Sequence, residues 1–180
     1  TTNFTAIFYF CSVLTSIPSD LFKYNINAVG YHSAFYDCTS LTTLPNDLFR
    51  YNTSVASFGF YKTFYGCTSL ETVPDYLFKY NTAVSTSGFY QTFYNCNKLQ
   101  LNPWTFYASG ETGTRFLNKV SNFTDCFTRT SFTGNQGTAP DLWNCNFGTQ
   151  TPTRTRCYSG DGNNTTSISN YNDIPTIWKT

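Results

Sequence analysis

The sequence predicts an α/β solenoid, a single domain in which short parallel strands and short helical turns stack repeat on repeat and end in an irregular C-terminal cap. Two observations predict this fold class. An F-Y-x-C motif recurs at a nearly constant period, and every other landmark of the repeat keeps step with it. The copies begin at Phe8, Phe35, Phe64 and Phe93, which are 27, 29 and 29 residues apart.

The repeats divide the chain into two parts of one domain. Residues 1–103 hold four clear copies, and in each copy a leucine and then a proline follow the FYxC motif at fixed distances. In residues 104–180 fainter copies such as 139–143 are separated by Gly, Asn and Thr, as expected for degenerate repeats and a C-terminal cap. The chain has no Met and begins inside a repeat, so we expect a processed product or a piece of a longer protein.

Local signals place one strand and one or two helical turns in each repeat. The T-S-L-x-x-L/V-P segment is short, apolar and stopped by proline, which predicts a strand. The L-F-K/R-Y-N segment predicts one helical turn, capped at its start by Ser19, Asn46 or Asp75 and ended by Asn25, Asn52 or Asn81. The stretch 59–65 predicts a second short helix or turn. Equivalent strands would then lie about 4.8 Å apart in a parallel sheet.

The F-Y-x-C-T-S-L-x-x-L-P pattern resembles the BspA-like leucine-rich repeats of bacterial surface proteins. The segment 34–38 fits that pattern best, and the resemblance covers residues 4–103. The C-terminal stretches 137–144 and 163–179 look like the end segments of such proteins encoded by gut bacteria and their phages. The resemblance implies a leucine-rich-repeat fold and an extracellular binding or structural role. It implies no catalytic residues.

The composition argues against an electrostatic partner. Net charge is +1 and 12% of the residues are charged, which indicates neither nucleic acid nor an anionic membrane as partner. No apolar run approaches the ~18 residues that a membrane span needs. The chain is instead rich in Thr, Ser and Asn and contains 14 Tyr. Such a surface suits an extracellular protein, on a cell or a virion, that makes adaptable contacts.

The seven cysteines indicate packing more than chemistry. The gaps between Cys11, Cys38, Cys67 and Cys96 are repeat spacings, too wide for a zinc motif, and His32 is the one histidine. We therefore predict buried thiols, no metal, no cofactor and no catalytic residue. In the loop-rich end, a disulfide between Cys145 and Cys157 would close a short loop. The stretch around Asp161 has part of the ligand pattern of a calcium loop, but a plain turn is favoured.

Exposed tyrosines are the candidate binding residues. We select Tyr24, Tyr51 and Tyr80, which share one repeat position, as the candidate contacts to a protein or glycan on a host surface. A second row, Tyr9, Tyr36, Tyr65 and Tyr94, either packs or is partly exposed.

The predicted function is a non-enzymatic binding or adhesion module on a bacterial surface or phage particle. The alternative is an architectural subunit of a fibre, appendage or capsid decoration that packs on neighbouring subunits, including copies of itself. A secreted glycan-active enzyme is disfavoured because the carboxylates form no close pair.

Overall fold

The predicted α/β solenoid of strands and helical turns is wrong. The computed structural model describes residues 3–132, 134–159 and 168–180, and within these ranges no α-helix and no β-strand forms. The described helices are three short 3-10 helices, Leu142–Asn144, Tyr171–Asp173 and Thr176–Trp178. Parallel pairing is limited to isolated bridges: Asn3↔Gly30, Thr43↔Thr72, Leu101↔Gly137 and Asn122↔Thr153.

Linked β-turns replace the predicted elements, and residues 58–67 show the pattern. Every second N–H group closes a turn on the carbonyl three residues back: those of Gly59, Tyr61, Thr63, Tyr65 and Cys67. The intervening N–H groups donate to the next repeat over 2.8–2.9 Å: those of Phe58, Phe60, Lys62, Phe64 and Gly66. All backbone donors are therefore satisfied without a strand or helix.

This backbone requires a left-handed residue at every fourth position. In the same segment those residues are Phe58, Lys62 and Gly66, with φ of 57°, 53° and 70°. Left-handed φ is unfavourable for residues other than glycine, so the hydrogen bonds to the next repeat must offset that cost. At Gly66 a Cβ atom would come within 1.7 Å of the Asp37 carboxylate, which explains the glycine there.

The turn segments stack in register through six levels. N–H groups of each of the first five levels donate to carbonyls in, or directly before, the level after it, with N···O distances of 2.7–3.2 Å. The six levels are residues 4–10, 31–37, 60–66, 89–95, 123–129 and 154–159. The final segment 178–180 pairs with the sixth level in the opposite direction, because the N–H groups of Arg156 and Tyr158 donate to Thr180 and Trp178 at 2.9 and 3.0 Å. The same register thus extends beyond residue 103, where the sequence pattern loosens.

The predicted strands fail because their segments are too short. Between repeats, residues 68–74 make one such bond in each direction, for example from the Glu71 N–H to the Thr42 carbonyl at 2.9 Å. A turn closes inside this segment, at Leu70, and Pro74 ends it without an N–H group. One bond per repeat gives an isolated bridge rather than a strand.

The predicted helical turns are also wrong as α-helix. In the L-F-K/R-Y-N segments the hydrogen bonds run to the carbonyl three residues back, as from Asn81 to Phe78 at 3.2 Å. These are consecutive tight turns of the 3-10 type. The second predicted short helix, at 59–65, is the turn segment already described.

The core contains columns of stacked aromatic rings, and each turn segment adds one ring to a column. In one column, neighbouring centroids are 5.2–5.5 Å apart with planes within 11° of parallel. Its rings are Phe8, Phe35, Phe64, Phe93, Phe127 and Tyr158. A second column contains Phe4, Tyr31, Phe60, Phe89 and Phe123. Each ring pair adds about 0.5–1.5 kcal/mol beyond the area it buries.

A buried amide ladder joins the turns that follow each proline. The Asn52 amide donates to the carbonyls of Phe22 and Asn25, at 3.0 and 2.9 Å. The Asn81 amide repeats this arrangement one level later. At the end of the ladder Arg115 takes the place of the amide, because its Nη2 donates to Phe78 and Asn81 at 3.1 and 3.2 Å. Burial lowers the pKa of Arg115 to about 10.

The prediction of buried cysteines is confirmed for Cys38, Cys67 and Cys96, which have no exposed surface. Each thiol donates to a phenylalanine carbonyl of the preceding repeat, with S···O distances of 3.1–3.2 Å. Burial raises the pKa of Cys38 to about 12. Cys11 has no preceding level in the described residues and is partly exposed.

The disulfide between Cys145 and Cys157 does not form in this structure, where all seven cysteines are free thiols. Cys157 lies one level beyond Cys126, and its carbonyl accepts the Phe127 N–H at 2.9 Å. Cys145 lies elsewhere, beside Tyr107 and Asp141. The two residues thus belong to different parts of the cap. The described residues include no helix long and apolar enough to cross a lipid bilayer.

Candidate binding face

Two columns of aromatic rings lie on one side of the molecule, and we call them the aromatic face. The first column contains Tyr9, Tyr36, Tyr65 and Tyr94, which stack with centroids 4.5–4.8 Å apart. In the second column Tyr61 and Tyr90 stack with centroids 5.0 Å apart, and the His32 ring meets Tyr61 edge to face at 4.6 Å. Apart from the more exposed Tyr9, all of these side chains are half-buried.

The turn backbone produces this face directly. In each level the FYxC phenylalanine points into the core, and the tyrosine after it points outward. Because neighbouring turn segments are separated by about 4.8 Å, the spacing of backbone hydrogen-bonded chains, outward rings at one position of these segments lie close enough to stack. Stacked rings cover one another's faces. What remains accessible is a regular row of ring edges and phenol hydroxyls.

A polar row accompanies the columns at the first left-handed position of the third to sixth levels. It consists of Lys62, Gln91, Asp125 and Arg156. The Lys62 ammonium lies 5.3 Å from the Tyr61 ring centre and 5.6 Å from that of Tyr65, so it sits between the columns. Further along, Arg156 contacts both oxygens of Asp125 at 2.8 and 3.0 Å, and Gln91 donates to the same carboxylate at 3.2 Å.

Outside that row the Asp37 carboxylate lies near Tyr36 and Tyr65, and the aromatic groups themselves are neutral. Burial, and then the neighbouring Tyr65, raise the pKa of Tyr36 to about 12, so the phenol stays protonated. Burial and the nearby Lys62 charge lower the pKa of His32, which keeps its imidazole neutral at pH 7. The aromatic face therefore offers neutral hydroxyl and ring-edge contacts to a partner.

The tyrosines selected from the sequence are exposed but do not form a column. Tyr24, Tyr51 and Tyr80 expose 80%, 41% and 37% of their surface. Within the described residues their rings do not stack on one another. Cations lie over two of them: Lys23 at 5.6 Å from Tyr24 and Arg50 at 5.1 Å from Tyr80. Their role in binding stays a prediction.

A shallow cleft in the C-terminal part was not found from the sequence. It has a volume of about 460 Å³, and its walls include Trp104, Trp143, Asn144 and Asn170. Asp141 also lines the cleft, and its carboxylate accepts a hydrogen bond from the Tyr107 hydroxyl. The two tryptophans are far apart along the chain, and only the stacking of levels brings them together. Indole rings beside amide groups suit a small polar ligand.

The described residues offer no arrangement typical of catalysis or metal binding. No group of three His, Cys, Asp or Glu side chains in these ranges could hold a metal ion. The one histidine contacts the Tyr61 ring and lies near Lys62 rather than beside a described thiol or carboxylate. The calcium-like stretch around Asp161 lies outside the described residues.

No protein-family model matches the chain, and no curated protein or solved structure matches it significantly. Any function assigned to it therefore depends on its own residues. The aromatic face is a regular, partly exposed feature available for that purpose.

Proposed function

We propose that this chain is a non-enzymatic, extracellular recognition module that binds a protein or glycan partner through the aromatic face. The observation that carries the proposal is the pair of outward aromatic columns, which repeat over several levels at 4.5–5.0 Å. Tyrosine combines large contact area with few rotatable bonds, so it binds partners at a low entropic cost. A half-buried, stacked tyrosine has even less freedom to lose.

The chemistry of the face favours an extended partner with many hydroxyl or amide groups. Ring faces are hidden within the columns, so affinity must come from ring edges, phenol hydroxyls and the polar row. The polar row includes both signs of charge, and the whole chain carries +1. Neutral polar partners such as glycans and protein loops fit this surface better than polyanions.

The extracellular location is supported by composition and by the resemblance of the FYxC motif to BspA-like repeats of bacterial surface proteins. The same resemblance implies either a bacterial surface or a phage particle as the location of the chain. A second candidate function is an architectural subunit of a fibre, appendage or capsid decoration. The apolar side chains exposed on the first repeat favour it, because such surfaces are typical of interfaces.

The phenol hydroxyls of the first column of the aromatic face provide a direct test. Replacing Tyr36, Tyr65 and Tyr94 with Phe keeps the rings and removes the hydroxyls. The matched control replaces the exposed Tyr24, Tyr51 and Tyr80 with Phe. The three proteins are tested on arrays of host-surface glycans and of mucin and matrix proteins. We expect the column variant to lose about tenfold or more in affinity, as for several lost hydrogen bonds, and the control to bind like the unmodified chain.

The opposite pattern, with binding lost in the control variant alone, would move the site to Tyr24, Tyr51 and Tyr80. Equal binding by all three proteins would contradict a role for either tyrosine set. If the unmodified chain binds neither array, the recognition proposal fails and the architectural candidate gains.

A further inference from the structure

A second cleft, which we call the basic cleft, lies between residues 79–82 and 111–119. Its volume is about 420 Å³, within the range of about 300–1,000 Å³ that is usual for small-molecule sites. None of the residues that line it belongs to the aromatic face. Its walls include Lys79, Tyr80, Glu111, Thr114, Arg115 and Lys119.

The basic cleft carries a local excess of positive charge. Three cationic side chains and one carboxylate, that of Glu111, line it, which leaves a surplus of two positive charges. The other lining residues are threonines and Tyr80, which are neutral. Because the whole chain has a net charge of only +1, this surplus is specific to the cleft. A concave surface lined by one sign of charge attracts ions of the opposite sign.

Arg115 is the buried part of this charge. Its side chain is 6% exposed, and its Nε donates to the Phe106 carbonyl at 3.0 Å. Its Nη1 is buried, and no described residue accepts a hydrogen bond from it. Nor does any carboxylate in the described ranges form an ion pair with this guanidinium. Because a buried charge without a counter-ion is unfavourable, an anion that enters the cleft is attracted strongly.

The two lysines differ in what they offer to such an anion. The Lys79 ammonium contacts the Glu111 carboxylate at 3.2 Å, so its charge is partly offset. The same carboxylate accepts the Ala108 N–H at 2.7 Å, and this bond and then Lys79 lower the pKa of Glu111. Lys119 is partly exposed and forms no ion pair in the part of the chain that the structure describes. Its ammonium is therefore available to a ligand.

Hydroxyl groups complete the lining of the basic cleft. Tyr80, Thr82 and Thr114 each contribute one. The volume of the cleft is larger than one carboxylate or sulfate group requires. The remaining space suits the polar atoms of a molecule that carries such a group, because hydroxyl side chains both donate and accept hydrogen bonds.

We propose that the basic cleft binds one small oxyanion group, a carboxylate or a sulfate, with Lys119 as its direct charged contact and the buried Arg115 as a fixed positive charge. The group enters either as a free ion or as a substituent of a larger polar molecule such as an acidic sugar. The chemistry that recognises it is the same in both cases. This site is additional to the proposed recognition of a neutral partner and does not depend on it.

The full chain is titrated with sodium sulfate and, separately, with a monosulfated glucose, and binding is followed by NMR. Sodium chloride at equal ionic strength and unmodified glucose are the control ligands. The Arg115 Nε–H signal reports on the site, because its hydrogen bond to the Phe106 carbonyl slows exchange with water. The test variant is Lys119→Gln, and the matched control is Lys98→Gln, at an exposed lysine outside the cleft. A further variant, Glu111→Gln, removes the carboxylate and keeps an acceptor for the Ala108 N–H.

We expect saturable shifts of the Arg115 signal with both sulfate probes. The Lys119→Gln variant should bind about three- to fivefold more weakly, as for the loss of one partly exposed ion pair. The Glu111→Gln variant should bind more tightly by a similar factor, and Lys98→Gln should bind like the unmodified chain. Tighter binding of the sulfated sugar than of free sulfate would identify a substituent as the ligand, and equal affinity would identify the free ion.

Three results would overturn the proposal. Chloride could produce the same shifts as sulfate, which would indicate general screening. Unmodified glucose could bind as well as its sulfate, which would indicate a neutral site. The Lys119→Gln and Lys98→Gln variants could bind equally, which would remove the cleft from the interaction. Because the arrays and the Arg115 signal report on different residues, this proposal and the proposed function can fail separately.

Discussion

Core-type side chains are partly exposed at the N-terminal end of the stack and buried at its C-terminal end. At the N-terminal end Phe8 and Cys11 are only partly buried, although their equivalents Phe35 and Cys38 have no exposed surface. At the C-terminal end the 3-10 helix Thr176–Trp178 closes the last level, and Trp178 is 4% exposed. Burial in this fold is thus conferred by the neighbouring level and not by the repeat that carries the residue.

We expect the largest effect from alkaline pH, because buried thiol and phenol groups must then ionise. Burial raises the pKa of the Cys38 thiol from 9.0 to about 12, and that of the Tyr36 phenol from 10.0 to about 12. A raised folded-state pKa contributes stability below the unfolded pKa and loses it as the pH rises to the folded pKa. We expect the free energy of unfolding to fall steadily between pH 9 and pH 12, measured by urea denaturation at each pH.

The Cys38→Ala variant sharpens that test, because it removes one of the groups that must ionise. Its free energy of unfolding should decline less steeply with pH than that of the unmodified chain. An identical slope would show that the first repeat does not keep this thiol neutral.

Truncation of a core ring should cost much more inside the stack than at the open end. Phe64 has a stacked ring on each side, at 5.4 and 5.5 Å, so Phe64→Ala should lower the free energy of unfolding by about 3–5 kcal/mol. Phe8 has one stacked neighbour in its column, at 5.2 Å, and remains partly exposed, so Phe8→Ala should cost about 1–2 kcal/mol. Urea denaturation of both variants measures the difference, and equal losses would contradict the contrast between the ends.

Substitutions in the amide ladder should have the smallest effect on the free energy of unfolding. They also allow the same substitution to be compared at one repeat position. Asn81→Ala removes two buried hydrogen bonds, at 2.9 and 3.0 Å, and should cost about 1–3 kcal/mol. Asn25→Ala changes the same residue type at the same repeat position, where the amide has no described acceptor. It should alter the free energy of unfolding by less than about 0.5 kcal/mol. A large loss in the Asn25 variant would mean that its amide is already paired.

Side-chain positions were predictable from the sequence to a large extent. Identical residues at one period must come together whenever repeats stack, so the phenylalanine core and the buried Cys38, Cys67 and Cys96 followed from spacing alone. The candidate site was predicted less well. Tyr36, Tyr65 and Tyr94 were recognised as a row that could be exposed, but the selected residues were Tyr24, Tyr51 and Tyr80, which do not stack.

Backbone conformation and long-range neighbours were not predictable in this way. A T-S-L-x-x-L/V-P segment has the composition of a strand, but whether it forms one depends on how many bonds the next level can supply. Cys157 lies one level beyond Cys126, although the insertions between the later levels differ in length. No local signal reports such lengths, and the same holds for Trp104 and Trp143, which line one cleft.

The sequence by itself determined the repeat period, the identity of the core rings and the low charge of the surface, because each depends only on which residues recur and how often. The tertiary structure decided the linked turns, the order of hydrogen bonds between levels and the difference between the two ends. A peptide group points its N–H one way and its C=O the other, so a stack of levels always has two unlike faces. Whether a face is exposed depends on the level that packs against it and not on the residues of any single repeat.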